Sequence, residues 1–324
     1  MKHKIYATYP LTEEVKHFLE EHCKIKQWGG EGRIPREVLL RELNDVEGMY
    51  TAGGTMAGMI DQELLDHAPN LKVVSNVSVG FNNFDLEALK KRNVIGTHTP
   101  HVLDETVADL AFGLLLATAR RIPELDRFVK TGSWKTTTKY SDTYGKDVHG
   151  STLGIIGMGR IGEAIAKRAR FGFDMDLLYY NRSRKPEAEE RYGAEYCDLA
   201  SLLQRSDFVL MMTPLTPDTY KLIGKEEFLL MKKSAMFINV SRGQTIDEQA
   251  LVEALQNGEI AAAGLDVFEQ EPIEPDHPLL KMPNVVTVPH IGSATAQTEL
   301  AMAMRAAENL VAVLQGKKPL NPVQ

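Results

Sequence analysis

Four stretches in the second half of the chain set polar residues at the ends of apolar runs, and their types suit the handling of carboxylates, carbonyls and protons. Arg242 follows Phe237-Ile-Asn-Val-Ser241 and precedes Gly243. A guanidinium there can grip a carboxylate with two parallel hydrogen bonds and place a cation beside a neighbouring carbonyl. The plainer alternative is a surface ion pair with Asp247 or Glu248. Ala263-Gly-Leu-Asp-Val-Phe-Glu-Gln-Glu-Pro272 carries Asp266, Glu269 and Glu271 on a strand and its exit, and spacing alone does not separate Glu269 from Glu271. His290 lies between Pro289 and a small-residue turn, where a lone histidine is commonly structural. The run Met212-Thr213-Pro214-Leu-Thr-Pro217 is broken by proline and could close over a bound group. Open α/β sheets bind ligands at the C-terminal ends of their strands. An arginine, a carboxylate and a histidine at successive ends therefore form a candidate site together.

The elements that would position them begin at residues 152–169, where an apolar strand runs through Gly157, Gly159 and Gly162 into an amphipathic helix. This is the pattern of a dinucleotide site. The first glycine permits the tight turn, the second lets the backbone approach a pyrophosphate, the third lets helix pack on strand, and the helix N-terminus offers N–H groups to phosphate. A second strand, Asp176-Leu-Leu-Tyr-Tyr-Asn181, ends about twenty residues on, where an adenosine ribose is read. An acid there would hold the ribose hydroxyls and repel a 2′-phosphate, by about 4 kcal/mol for charges ~4 Å apart at an effective dielectric of ~20. The chain instead has Asn181, Arg182, Ser183 and Arg184, with no acid before Glu187. NADPH is expected over NADH.

Short β-branched runs alternate with helical patterns from Lys4 to Ser75, and the order repeats after residue 150 with strands at 153–156, 177–180, 207–212, 235–240, 262–266 and 285–288. Two parallel α/β domains follow. A single long helix is expected from Glu105 to Val129, then a polar loop of unusual length at 131–145 containing Trp134, and a last helix from about Gln297 to Gln315. Net charge is −7 with dispersed Lys and Arg, so nucleic acid is a poor partner, and the longest apolar runs are too short for a bilayer. The only cysteines, Cys23 and Cys197, lack metal or redox spacing, and no metal site is expected. Cytoplasmic residence follows as the default expectation.

Gly157-Met-Gly-Arg-Ile-Gly162, Val240-Ser-Arg-Gly243, Gly264-Leu-Asp-Val-Phe-Glu-Gln-Glu-Pro272 and Pro289-His-Ile-Gly-Ser-Ala-Thr295 resemble the signature blocks of the D-isomer-specific 2-hydroxyacid dehydrogenases. Ser78-Val-Gly-Phe-Asn-Asn-Phe-Asp85 is similar to that family's substrate loop, and Glu105-Thr-Val-Ala-Asp109 to the start of its linking helix. Tyr144-Gly-Lys-Asp-Val-His149 and Phe171-Gly-Phe173 resemble the bacterial 2-ketogluconate reductase group, which also reduces glyoxylate and hydroxypyruvate. The resemblance implies that Arg242 binds the substrate carboxylate and polarises the ketone, that His290 donates the proton, and that Glu271, the acid immediately before proline, pairs with His290. Hydride delivered to a keto carbon leaves an alkoxide, which needs such an acid and a fixed cation. It further implies that Asp266 meets the nicotinamide carboxamide and that the N–H groups of Val79 and Gly80 hold the substrate carboxylate. Cofactor contacts are implied for Thr106, Arg160, Ile161, Thr213, Pro214, Thr219, Val240, Ser241 and Gly292.

On this reading the fold is two flavodoxin- or Rossmann-like domains with a cleft between them. Residues 1–101 plus 292–324 bind substrate; residues 102–291 bind NAD(P), with 131–145 as the arm of a homodimer. Formate dehydrogenases of the family carry glutamine at the Glu271 position, and the glutamate argues against that reaction. A D-3-phosphoglycerate dehydrogenase using NADH, or a non-enzymatic NAD(H)-sensing corepressor, are the competing readings.

Overall fold

The computed structural model describes residues 2–323. The chain forms two compact units, one running to Leu103 and resuming at Ala294, the other spanning Asp104–Ser293. These junctions fall two residues beyond the 101 and 292 read from the sequence. Among the described residues no helix is long and apolar enough to cross a membrane.

The first unit is a five-stranded parallel sheet of β1 (His3–Ala7), β2 (Cys23–Gln27), β3 (Gly48–Thr51), β4 (Val73–Asn76) and β5 (Ile95–Thr97), in the order β2-β1-β3-β4-β5. The Ala296–Leu314 helix packs back on it. Its backbone carbonyls at Ala303 and Ala306 accept hydrogen bonds from the buried Tyr50 and Ser75 hydroxyls, at 3.1 and 2.6 Å. Neither β2 nor β5 is evident in the sequence. β2 reads Cys-Lys-Ile-Lys-Gln at a sheet edge, with few apolar side chains to mark it, and β5 has three residues.

The second unit is a seven-stranded parallel sheet. Its strands are β6 (Thr152–Ile156), β7 (Asp176–Tyr180), β8 (Glu195–Tyr196), β9 (Phe208–Met211), β10 (Met236–Asn239), β11 (Ala262–Leu265) and β12 (Val285–Thr287), ordered β12-β11-β10-β9-β6-β7-β8. The strands alternate between two cores, as side chains of period two must. Leu153, Ile155, Tyr179, Phe208, Leu210 and Ile238 join one with Leu115 and Ile165. Ile156, Leu178, Val209, Met211, Phe237 and Leu265 join the other with Phe228 and Leu251. The order reverses about β6, so the glycine turn after β6 stands at the switch point where a dinucleotide is bound in such sheets.

The single helix expected from Glu105 to Val129 is two helices, Asp104–Ala119 and Ile122–Lys130. Pro123 explains the break: its ring has no N–H and would collide with the Ala119 carbonyl of a continuous helix, and it disfavours helical geometry at the preceding residue. The chain turns instead through Arg121 at φ 55°, ψ 34°, pinned by its guanidinium to Glu124 and to the Asp142 and Tyr144 carbonyls. Residues 131–145 follow with a 3-10 turn at Tyr140–Thr143. In the isolated chain Trp134 is 69% exposed and Tyr140 83%.

One carboxylate gathers three strand beginnings. Asp207, just before β9, accepts the Thr152 N–H at 3.1 Å and the ammonium groups of Lys146 and Lys232 at 3.2 Å each, while Lys146 also reaches the Ser234 carbonyl. Burial alone would raise its pKa, but that N–H and the two lysines hold it below the usual carboxylate range. A depressed folded-state pKa stabilises above the unfolded value of about 3.9, and the contribution is lost as pH falls through the lower folded value. Asp207→Asn is therefore expected to destabilise by about 1–3 kcal/mol at neutral pH. In urea titrations the gap between variant and parent should narrow below about pH 4; a gap independent of pH would contradict this role.

Candidate active site

At the turn after β6, Gly157 has φ +107°, and a Cβ there would lie 2.7 Å from the Met212 carbonyl carbon and oxygen. Gly162 is as tightly confined, 2.5 Å from the Gly157 carbonyl oxygen to an added Cβ, whereas the space over Gly159 is open. Gly159 caps the Arg160–Phe173 helix without a side chain, so the N–H groups of its first turn, at Arg160 and Ile161, have no side-chain cap. The Arg160 guanidinium turns to Asp104 at 3.1 Å. Facing the turn from β9, the Thr213 hydroxyl is buried without a hydrogen-bond partner. An orphaned hydroxyl beside an open glycine and uncapped N–H groups fits a bound dinucleotide. Pro214 and Thr219 belong to a self-closed turn, the Thr219 hydroxyl donating to the Pro214 carbonyl at 2.6 Å. Thr106 lies half-buried in the first turn of the Asp104–Ala119 helix.

Beyond β7 the Asn181 side chain donates to the Ser183 carbonyl at 3.0 Å, so the turn holds itself. Arg184 grips Glu189 with two 2.8 Å bonds, and the Tyr179 hydroxyl donates to the same carboxylate. Arg182 is exposed and makes no ion pair among the described residues. The two arginines are therefore not equivalent.

The polar residues at the ends of β10, β11 and β12 converge. Buried Asn239 shapes the first of these ends: its side-chain oxygen accepts the Ser241 N–H and hydroxyl at 3.0 and 2.9 Å, and its amide donates to the Arg242 carbonyl at 3.2 Å. This Asx-type turn buries Val240 and Ser241 and projects Arg242. The guanidinium donates to the Ser241 carbonyl at 2.6 Å and forms no ion pair among the described residues. The plainer alternative for it fails. Asp247 caps the Glu248–Gln256 helix at the Ala250 N–H, and Glu248 turns to His277 and the Glu269 N–H.

Gly243 must be glycine here, because an added Cβ would sit 1.9 Å from the Phe268 carbonyl carbon and oxygen. The segment after Arg242 thus lies directly against the segment leading to Glu271. Glu271 Oε1 accepts the Phe268 N–H at 3.1 Å and Oε2 lies 2.6 Å from His290 Nδ1. Glu269 instead points to Lys221 at 3.7 Å, so geometry separates the two acids that spacing could not. His290 has φ 52°, a left-handed conformation that needs support. Its N–H donates to the Asp266 carbonyl, and the buried Asp266 carboxylate accepts the N–H groups of Ile291 and Gly292 at 2.6 and 2.9 Å. That clasp on the His290 turn was not apparent in the sequence.

Burial pushes the Asp266 carboxyl up to about 6, against the opposing pull of the Ile291 N–H and the nearby His290. Burial also acts to raise Glu271, but the His290 hydrogen bond and charge, the Phe268 N–H and Arg242 hold it below the usual range. Desolvation lowers Arg242 while Glu271 and Asp266 favour its charged form. The site holds an ionised carboxylate against an imidazole, with a guanidinium that makes no ion pair among the described residues. In the first unit, Asn76 fastens the loop of Val79 and Gly80 through the Ser78 hydroxyl and Gly80 carbonyl, both at 3.0 Å, and His98 Nδ1 lies 2.8 Å from the Val79 carbonyl. Among the described residues the Val79 and Gly80 N–H groups have no acceptor.

Comparisons with known proteins identify the family of the chain. Residues 112–292 match the family model for the NAD-binding domain of D-isomer specific 2-hydroxyacid dehydrogenases. Glyoxylate/hydroxypyruvate reductase B of Escherichia fergusonii is 49% identical over 323 residues, covering 100% of this chain and 98% of the relative. The crystal structure of the TT0316 protein from Thermus thermophilus superposes with a TM-score of 0.90 at 40% identity, covering 99% of this chain and all of that one. An NADPH-dependent glyoxylate/hydroxypyruvate reductase from Sinorhizobium meliloti, in complex with NADP and malonate, gives 0.88 at 33% identity, covering 100% and 97% of the two chains. With a glycine turn of the dinucleotide type at the sheet's switch point and an arginine, glutamate and histidine at neighbouring strand ends, this chain belongs to the D-isomer-specific 2-hydroxyacid dehydrogenases, oxidoreductases that work with a nicotinamide cofactor.

Proposed function

We propose that the protein reduces 2-keto acids, with glyoxylate, hydroxypyruvate and 2-ketogluconate as the substrate class, to 2-hydroxy acids, of D configuration where the product is chiral, and that Arg242, Glu271 and His290 carry the reaction. The observation that bears most weight is the 2.6 Å contact of Glu271 with His290 Nδ1 beside a guanidinium that has no internal anion. The names of the relatives at 49% identity support the substrate class. A nicotinamide dinucleotide held by its pyrophosphate at the Gly157–Gly162 turn would supply the hydride. Arg242 holds the substrate carboxylate through its fork and sets positive charge beside the ketone oxygen. With Nδ1 bonded to Glu271, His290 presents Nε2, which passes its proton to the oxygen as negative charge develops there. Val79 and Gly80 N–H groups add donors for the carboxylate. Asp266 holds the turn that carries His290 and offers its remaining lone pairs to the carboxamide.

NADPH is the proposed coenzyme, supported by the missing acid after β7, by unpaired Arg182, and by the NADP bound in the Sinorhizobium meliloti relative. Thr106, Thr213, Pro214, Thr219, Val240, Ser241 and Gly292 are proposed to contact the coenzyme. The proposal extends to a homodimer built on the 131–145 arm, whose exposed Trp134, Tyr140 and Tyr144 are apolar surface that water solvates poorly. Cytoplasmic residence, without nucleic-acid or membrane partners, accords with the net charge of −7 and the dispersed cations.

Steady-state kinetics test both parts. Arg242→Lys keeps the charge but loses the planar fork, and kcat/KM for glyoxylate is expected to fall on the order of 100-fold; near-parental kinetics in the folded variant would remove Arg242 from the mechanism. The unmodified enzyme is expected to use NADPH more efficiently than NADH. Arg182→Ala should raise KM for NADPH roughly 10-fold or more, the worth of a charge-assisted hydrogen bond, and leave NADH nearly unchanged. Equal or better efficiency with NADH in the parent would contradict the coenzyme assignment.

A further inference from the structure

Beside the Glu271–His290 contact lies a second acid and imidazole that the proposed reaction does not use. Glu248 is 7% exposed, an uncommon position for a carboxylate, and its two oxygens act in different directions. Oε2 accepts the Glu269 N–H at 3.0 Å and Oε1 lies 3.3 Å from His277 Nε2. His277 Nδ1 accepts the Leu279 N–H at 3.3 Å, so in the neutral ring the proton is on Nε2 and is donated to Glu248. Four residues earlier, the Gln244 amide donates to the Glu269 carbonyl at 2.7 Å. Both backbone polar groups of Glu269 are therefore held by side chains from the segment that follows Arg242. Gly243 presses against the Phe268 carbonyl in the same segment, and the Phe268 N–H in turn fixes Glu271 Oε1.

We infer that Glu248 and Gln244 are positioning residues: by clasping the Glu269 backbone from opposite sides they set where Glu271 meets His290, and they tie that placement to the loop that bears Arg242. Helix capping does not account for Glu248, because Asp247 is the cap and both Glu248 oxygens point to groups outside the helix. The charged groups around Glu271 are His290, Arg242 and Asp266; those around Glu248 are His277 and, further out, the Lys221–Glu269 pair. This inference rests on the proposed role of Glu271.

The test is a double-mutant cycle of Glu248→Gln and Glu271→Gln, with Gln244→Ala as a second probe of the clasp, read as kcat, KM and the pH profile of glyoxylate reduction at saturating coenzyme. Glutamine keeps the shape of Glu248 but offers one acceptor oxygen where two are used, so either the Glu269 N–H or His277 loses its partner. Reduction of the carbonyl consumes a proton, so the rate is expected to fall at alkaline pH as the acid is lost, and removing the Glu271 anion should move that fall to lower pH. Glu248→Gln should lower kcat roughly 10-fold, about the worth of one hydrogen bond to a charged group, move the alkaline fall in the same direction and leave KM for coenzyme unchanged. In the Glu271→Gln background the same substitution should cost less than about twofold, because coupled residues are not additive. An equal loss in both backgrounds, or a parental pH profile in Glu248→Gln, would overturn the inference. An unaltered rate and profile in Glu271→Gln itself would overturn the underlying role of Glu271, and the inference with it. If Glu248→Gln does not fold, Gln244→Ala decides the question by the same cycle.

Discussion

Glu271 and His290 leave different strands, and the 2.6 Å between their side chains is the constraint on which the proposed chemistry depends. A carboxylate and an imidazole at that distance stabilise each other only if neither loop can drift, because an unpaired half-buried charge would draw in water or a proton instead. The structure answers with backbone contacts. On one side the Asp266 carboxylate clasps two N–H groups after His290; on the other Gly243 abuts the Phe268 carbonyl and Phe268 holds Glu271. Preorganisation of this kind lets the site meet developing charge without rearranging.

The same economy of placement separates the two anionic tasks. Arg242 forms no ion pair among the described residues, while the carboxylates near it have partners of their own: Asp266 has backbone N–H groups, Glu271 has His290, Glu269 has Lys221, and Glu248 has His277 and the Glu269 N–H. A cation left unsatisfied among satisfied acids favours an external anion. The arginine pair after β7 follows a similar division, with Arg184 bound to Glu189 and Arg182 without an ion pair among the described residues.

Much of this was legible in the sequence where local chemistry and fold coincide. The glycine turn after β6 has its conformational reason in Gly157 and Gly162, which no other residue could replace without striking Met212 or Gly157 itself, so its pattern is readable. The alternation of apolar runs with helical segments made the parallel layout of the second unit readable because its central strands, such as β9, β10 and β11, are buried on both faces. Edge strands such as β2 and the two-residue β8 carry no such pattern, and their pairing depends on neighbours distant in sequence. The break at Arg121 was readable from Pro123, but the apolar periodicity continuing past it obscured the signal. Asn239, Gln244 and Glu248 act through contacts between loops, which spacing along one chain does not encode.

The pairing of Glu271 with His290 is the central physical claim, and nitrogen NMR of the protein with 15N-labelled histidine examines it most directly. His290, identified by its loss in His290→Gln, should show a proton held on Nδ1, with a neutral-form spectrum of the Nδ1–H tautomer that gives way to tautomeric averaging in Glu271→Gln. A neutral form with its proton on Nε2 and none on Nδ1 in the parent protein, or an unchanged spectrum when Glu271 is replaced, would contradict it.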